Sequence, residues 1–144
     1  MALLLTYYYP HIMALVFLAF IFSTPVPAKG RFFLRALVAL LIVTFLAHIN
    51  RTFDLWPAHR YFPSGHMTFC LGVALSLGML RPWTLAVTLP LLVPFGVALV
   101  ALHCHDSLDV LGAVPLVLGV YGIVHWAWNM SPSSPPLDRA TVSN

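Results

Sequence analysis

His105 and Asp109 stand four residues apart in the run His103-Cys104-His105-Asp106-Ser107-Leu108-Asp109. That spacing puts both side chains on one face if a helix begins there. A carboxylate on one ring nitrogen fixes the tautomer and leaves the other nitrogen free as a nucleophile, while stabilising the positive charge that develops on attack. A second run, Arg60-Tyr61-Phe62-Pro63-Ser64-Gly65-His66, ends directly before the apolar stretch from Met67 to Leu80. Pro63 and Ser64 predict a helix start with Ser64 as N-cap, and Gly65 leaves room for an incoming group to approach the backbone. The free N–H groups and partial positive charge of such a terminus suit a phosphate, and His66 would lie beside that anion. The chemistry these parts describe is in-line phosphoryl transfer. His105 attacks phosphorus, Asp109 orients it, and His66 on the far side protonates the leaving oxygen. The helix terminus, with Arg51 or Arg60, offsets charge on the phosphoryl oxygens, and a covalent phosphohistidine is the implied intermediate. His103 is a further candidate for contact with substrate. No metal or cofactor is called for.

The elements that must position these residues follow from composition. Of 144 residues, 60% are hydrophobic and 8% charged, with a mean hydropathy of +0.91. Soluble domains carry about a quarter charged residues, so this chain has too few charges to cover a water-facing surface. It reads as an all-α, polytopic membrane bundle, and disorder, coiled coil, disulfide scaffold and nucleic-acid binding are poor fits. The seven Lys and Arg residues, net charge +3, form no basic stripe, so no nucleic-acid partner is expected. Cys70 and Cys104 make no C-x-x-C pair and say little about compartment.

Crossing a bilayer takes about 20 apolar residues. On that measure five helices are predicted, at 7–24, 32–49, 64–80, 84–103 and 107–128, forming one transmembrane domain over residues 1–130. The tail from Ser131 is polar and Pro-rich and is predicted disordered. Val26-Pro27-Ala28 has a weak likeness to a signal-peptide cleavage site, but the first span lacks a basic leading region and reads as retained. Lys29, Arg31, Arg35, Arg81 and Arg139 fall on one side of this topology, and Arg51 and Arg60 on the other. The positive-inside rule makes the first group cytoplasmic. Both chemical runs, within 50–66 and 103–109, then sit together at the outer, non-cytoplasmic mouth, joined by a helical hairpin. Pro90, Pro94 and Pro115 are tolerable as kinks.

Pro-Ser-Gly-His followed, after a helical hairpin, by His-x-x-x-Asp resembles the type-2 phosphatidic acid phosphatase superfamily of membrane lipid phosphatases and phosphotransferases. Ser64-Gly65-His66-Met67-Thr68 and His103-x-His105-x-x-x-Asp109-Val110 are most similar to its sphingomyelin synthase branch. The resemblance covers about residues 50–128. It implies a metal-independent enzyme acting on a lipid phosphate or phosphodiester headgroup, with His105, Asp109 and His66 catalytic. Two positions depart from the phosphatase branch: Ala58 and Leu99 stand where that branch carries arginines. A phosphodiester carries less charge than a monoester and needs fewer cations, which tilts the expectation toward headgroup transfer, with simple lipid phosphate hydrolysis as the alternative. The superfamily commonly has six spans, one amino-terminal helix more than is read here.

Plainer roles stand beside these. Pro63-Ser64-Gly65 suffices as a helix cap, and His105–Asp109 as a structural bond closing a helix end. A zinc site built on His66, His103, His105 and an Asp is a second hypothesis, and a non-catalytic lipid-binding or assembly protein a third. His11, His48 and His125 read as interfacial or packing residues, and Trp126 with Trp128 as an aromatic belt. Asp54 is a plausible ion-pair partner for Arg51. Gly72, Gly78, Gly112 and Gly119 read as points of close helix approach.

Overall fold

A computed structural model describes residues 2–23, 29–53, 55 and 61–130. Five helices make up this part of the chain: α1 (Ala2–Ser23), α2 (Lys29–Phe53), α3 (Gly65–Leu80), α4 (Trp83–Ala101) and α5 (Ser107–Met130). The expected boundaries hold to within a few residues, except that α1 begins earlier and α2 extends at both ends. Arg60, Asp54, Ala58 and the tail from Ser131 lie outside the described residues, as does the side chain of Arg51.

α3 is the axis of the bundle, and each of the other four helices packs against it. Around it, α1 packs on α4, α4 on α5, and α5 on α2, whereas α1 and α2, although consecutive, scarcely touch among the described residues. Burial explains the central position. Cys70, Val73, Ala74, Ser76 and Leu77 of α3 are at most 1% exposed, and the small side chains among them let neighbours approach. An added Cβ at Gly72 would press on Leu40 of α2 and Tyr121 of α5, and one at Gly78 on Leu85 of α4. Gly119 departs from expectation: it is exposed, and a Cβ there would meet nothing.

The outward faces are apolar too. Leu15, Phe22, Phe45, Val93, Leu111 and Ile123 are all exposed, as suits helices whose surroundings are hydrocarbon rather than water. Three helical segments are long and apolar enough to cross a membrane: Gly30–Asn50, Trp83–Ala101 and Ser107–Met130. Tyr7–Ser23 and Gly65–Leu80 are shorter apolar helices, so the length rule is met by three helices rather than the five expected. The 16 residues of α3 rise about 24 Å, short of the roughly 30 Å of a hydrocarbon core. Its shortness has local causes. Ser64 caps one end, and at the other Arg81 turns to extended backbone before Pro82, which disfavours a helical residue ahead of it.

One set of polar groups inside the bundle is tied together, whereas the buried Tyr9 Oη and Thr68 Oγ1 have no hydrogen-bond partner. Tyr121 Oη donates to the Gly72 carbonyl at 2.7 Å, and Ser76 Oγ lies 2.8 Å from Tyr121 Oη. These contacts join α3 to α5 at the depth where unpartnered hydroxyls are costly.

Candidate functional site

The run 61–64 has no regular structure of its own, and three contacts hold it. Asn50, buried near the end of α2, donates from Nδ2 to the Phe62 carbonyl at 3.2 Å. The Phe62 ring lies on Gly112 of α5, where any Cβ would collide with it. The Ser64 amide donates to the Asp109 carbonyl at 2.8 Å. The start of α3 is therefore bonded directly to the first turn of α5. Gly112→Leu is expected to displace the Phe62 ring, at about 1–3 kcal/mol as overpacking usually costs. Thermal unfolding of the purified variant checks this, and a wild-type midpoint would refute it.

Ser64 behaves as the sequence predicted of an N-cap. Its Oγ accepts from the Met67 amide at 3.4 Å and its carbonyl from Thr68 at 2.9 Å. It is 0% exposed, so its hydroxyl shapes the helix terminus from within rather than facing an incoming group. The amides of Gly65 and His66 have no carbonyl one turn back to bond, as in any first turn. His66 itself is exposed.

The other half of the site follows α4. That helix ends at Ala101, and the chain turns back through His103, whose φ is +53°. The amides of Cys104 and His105 both point to the Leu99 carbonyl, at 3.0 and 3.3 Å. Leu99, at a position where the resemblance would place an arginine, is 1% exposed and belongs to the core. His103 and Asp106 are exposed.

Asp109 does two things. Its Oδ2 accepts the Asp106 amide at 3.1 Å, closing the first turn of α5 as the second half of a capping box does. The same oxygen lies 3.6 Å from His105 Nδ1. That distance is beyond a hydrogen bond but within reach of one after a small side-chain rotation. His105 Nδ1 and Asp109 Oδ1 are both buried and without a hydrogen-bond partner, so a small rotation of the carboxylate that brings either oxygen to Nδ1 gives that nitrogen an acceptor. Catalytic hydrogen bonds are commonly long before substrate binds.

His105 and His66 meet. Their ring centroids are 6.0 Å apart with the planes at 66°, and Tyr61 packs edge-on to His105 from another side at 6.1 Å. With Nδ1 directed at Asp109, His105 keeps Nε2 for the space between the rings. Burial pushes the His105 imidazole below its ordinary 6.5, Asp109 pulls it back up, and positive charge on His66 pushes it down again. The ring is therefore neutral, and nucleophilic, at neutral pH. Were His105 a nucleophile it would have to be unprotonated, and a lowered pKa would put the acid limb of kcat/KM below 6.5. Asp109→Asn removes an influence that raises the pKa, and should move that limb further to acid. A pH profile with its acid midpoint above 6.5 would contradict this.

Two further histidines stand at this end, although their sequence surroundings suggested packing roles only. His48, near the end of α2, donates from Nδ1 to the Thr44 carbonyl at 2.8 Å, and His11 of α1 bonds the Tyr7 carbonyl at 2.9 Å in the same way. Both are close enough to His66 to interact with it electrostatically. The signal available in sequence was topological: both fall toward the outer ends of their predicted spans. His125 lies elsewhere, on the last turns of α5 beside Asn129. Among the described residues no three His, Cys, Asp or Glu side chains are arranged to hold a metal ion. No protein-family model, no curated protein and no solved structure matches the chain.

Proposed function

We propose that this chain is a multi-pass integral-membrane lipid phosphotransferase acting through a phosphohistidine. The observation that carries the reading is the pairing of His66 with His105, two imidazoles from distant runs, at 6.0 Å across one helix mouth. His105 Nε2 attacks phosphorus as the bond to the lipid backbone's oxygen breaks, leaving the phospho-headgroup on the ring, and protonated His66 gives that backbone oxygen its proton. The oxygen of an acceptor alcohol, deprotonated by the now neutral His66, then attacks phosphorus. The P–N bond breaks and both histidines return to their starting states. Asp109 holds the His105 ring and stabilises its charge while the P–N bond exists. The amides at the start of α3 offset charge on the phosphoryl oxygens.

The resemblance to the type-2 phosphatidic acid phosphatase superfamily supports this reading. Leu99 in the core favours a singly charged phosphodiester, hence headgroup transfer, over a dianionic monoester and simple hydrolysis. The grouping of Lys29, Arg31, Arg35 and Arg81 toward the opposite ends of their helices favours a site on the non-cytoplasmic face. The substrate is then a membrane lipid of the outer leaflet. The deciding experiment incubates purified protein with labelled phosphatidic acid, phosphatidylcholine, a prenyl diphosphate and ceramide, with and without an alcohol acceptor. A headgroup moved to the acceptor is the expected product. Free phosphate alone would make the protein a phosphatase, and no product from any lipid would end the enzymatic reading.

A further inference from the structure

A phosphoryl group between His66 and His105 brings negative charge to a part of the bundle where every described Arg side chain is remote. Arg31 and Arg35 belong to the first turns of α2, and Arg81 follows α3 at its far end. The described groups able to meet that charge at this end, besides the two rings already assigned, are imidazoles. His48 is the one whose ring edge lies against Gly65 at the start of α3. The carbonyl of Thr44 can only accept, so the 2.8 Å contact puts the proton on His48 Nδ1 and leaves Nε2 as the outward atom. The ring edge lies along Gly65: a Cβ built there would be 3.4 Å from His48 Cε1 and 3.9 Å from Nε2. Gly65 is the first residue of α3 and carries one of the unpaired amides. His48 Nε2 and the helix terminus therefore border the same space, and His48 is exposed to it.

We propose that His48 is a third histidine of this site, a ligand that donates from Nε2 to a phosphoryl oxygen held at the start of α3. The inference rests on the phosphotransferase reading for its ligand, and it adds a helix, α2, that neither chemical run supplies. In its protonated form the imidazole has both nitrogens as donors, one already spent on Thr44 and the other free for the anion.

Orthovanadate, which mimics a phosphoryl group in flight, is the probe. Its affinity for the purified full chain is measured by calorimetry for wild type, His48→Phe, His48→Gln and His105→Ala. Loss of a charge-assisted hydrogen bond weakens binding about tenfold to a hundredfold, and this is expected of His48→Phe. His48→Gln, which keeps a neutral donor at similar reach, is expected to recover part of the affinity, and its own unfolding midpoint reports whether the bundle is intact. With a turned-over lipid, His48→Phe should raise KM more than it lowers kcat. Unchanged vanadate affinity in His48→Phe, or no vanadate binding by wild type, overturns the inference. The two readings fail separately. If His105→Ala loses vanadate and turnover while His48→Phe loses neither, the phosphotransferase stands and the third histidine falls. If no lipid is turned over but His48→Phe still loses vanadate, His48 is an anion ligand at a site without chemistry.

Discussion

Alanine at position 105 is expected to abolish turnover, by about 10⁶ in kcat, the scale of loss when a covalent nucleophile is removed from an enzyme. No other described side chain can take over. His66 faces the same space but is needed to protonate the leaving oxygen, and His48 and His11 rest Nδ1 on neutral backbone carbonyls, which stabilise the charge of a phosphorylated ring less than a carboxylate does. With a substrate labelled on phosphorus, wild type should carry an acid-labile, alkali-stable label after rapid quenching, as a phosphoramidate bond does, and His105→Ala should carry none. The fold should survive, because the His105 side chain makes no hydrogen bond that the bundle needs. Retained activity in the purified, folded variant would remove the nucleophile from the mechanism.

His66→Ala is the second large effect, about 10²–10⁴ in rate, the usual worth of a placed general acid. The role makes a sharper demand than loss alone. A leaving group that is stable as an anion, such as nitrophenolate, does not need a proton. Formation of the phosphohistidine from a nitrophenyl phosphodiester should therefore suffer much less in His66→Ala than formation from an alkyl one. An equal loss on both substrates would mean that His66 binds or shapes the site rather than transferring a proton.

Much of the architecture was legible because it depends on local chemistry. Apolar run length set the five helices, Pro63-Ser64 marked the start of α3, and Arg81-Pro82 its end. His105 and Asp109 approach to 3.6 Å, but not from one helix face as the spacing suggested: His105 lies two residues ahead of the start of α5 at Ser107, and Asp109 also closes the turn through the Asp106 amide. What could not be read is which faces meet. These helices are apolar nearly all round, so periodicity gives no direction, and a histidine four residues after Thr44 looks like any interfacial residue until α2 is laid against α3. For the same reason Gly119, equal in sequence terms to Gly112, turned out to face outward, whereas Gly112 receives the Phe62 ring. The membrane-crossing count fell from five to three: α3 is capped early at both ends, and the apolar segment Tyr7–Ser23 of α1 is also too short.

The bond from the Ser64 amide to the Asp109 carbonyl uses main-chain atoms on both sides, so nearly all side-chain replacements leave its donor and acceptor in place. Proline at 64 is the exception, since it has no amide hydrogen to give. Under the proposed reaction, sequence change around the mouth can thus alter which lipid fits while the link between the starts of α3 and α5 keeps its donor and acceptor. The distance most critical to the chemistry is guarded by the part of the molecule least open to mutation.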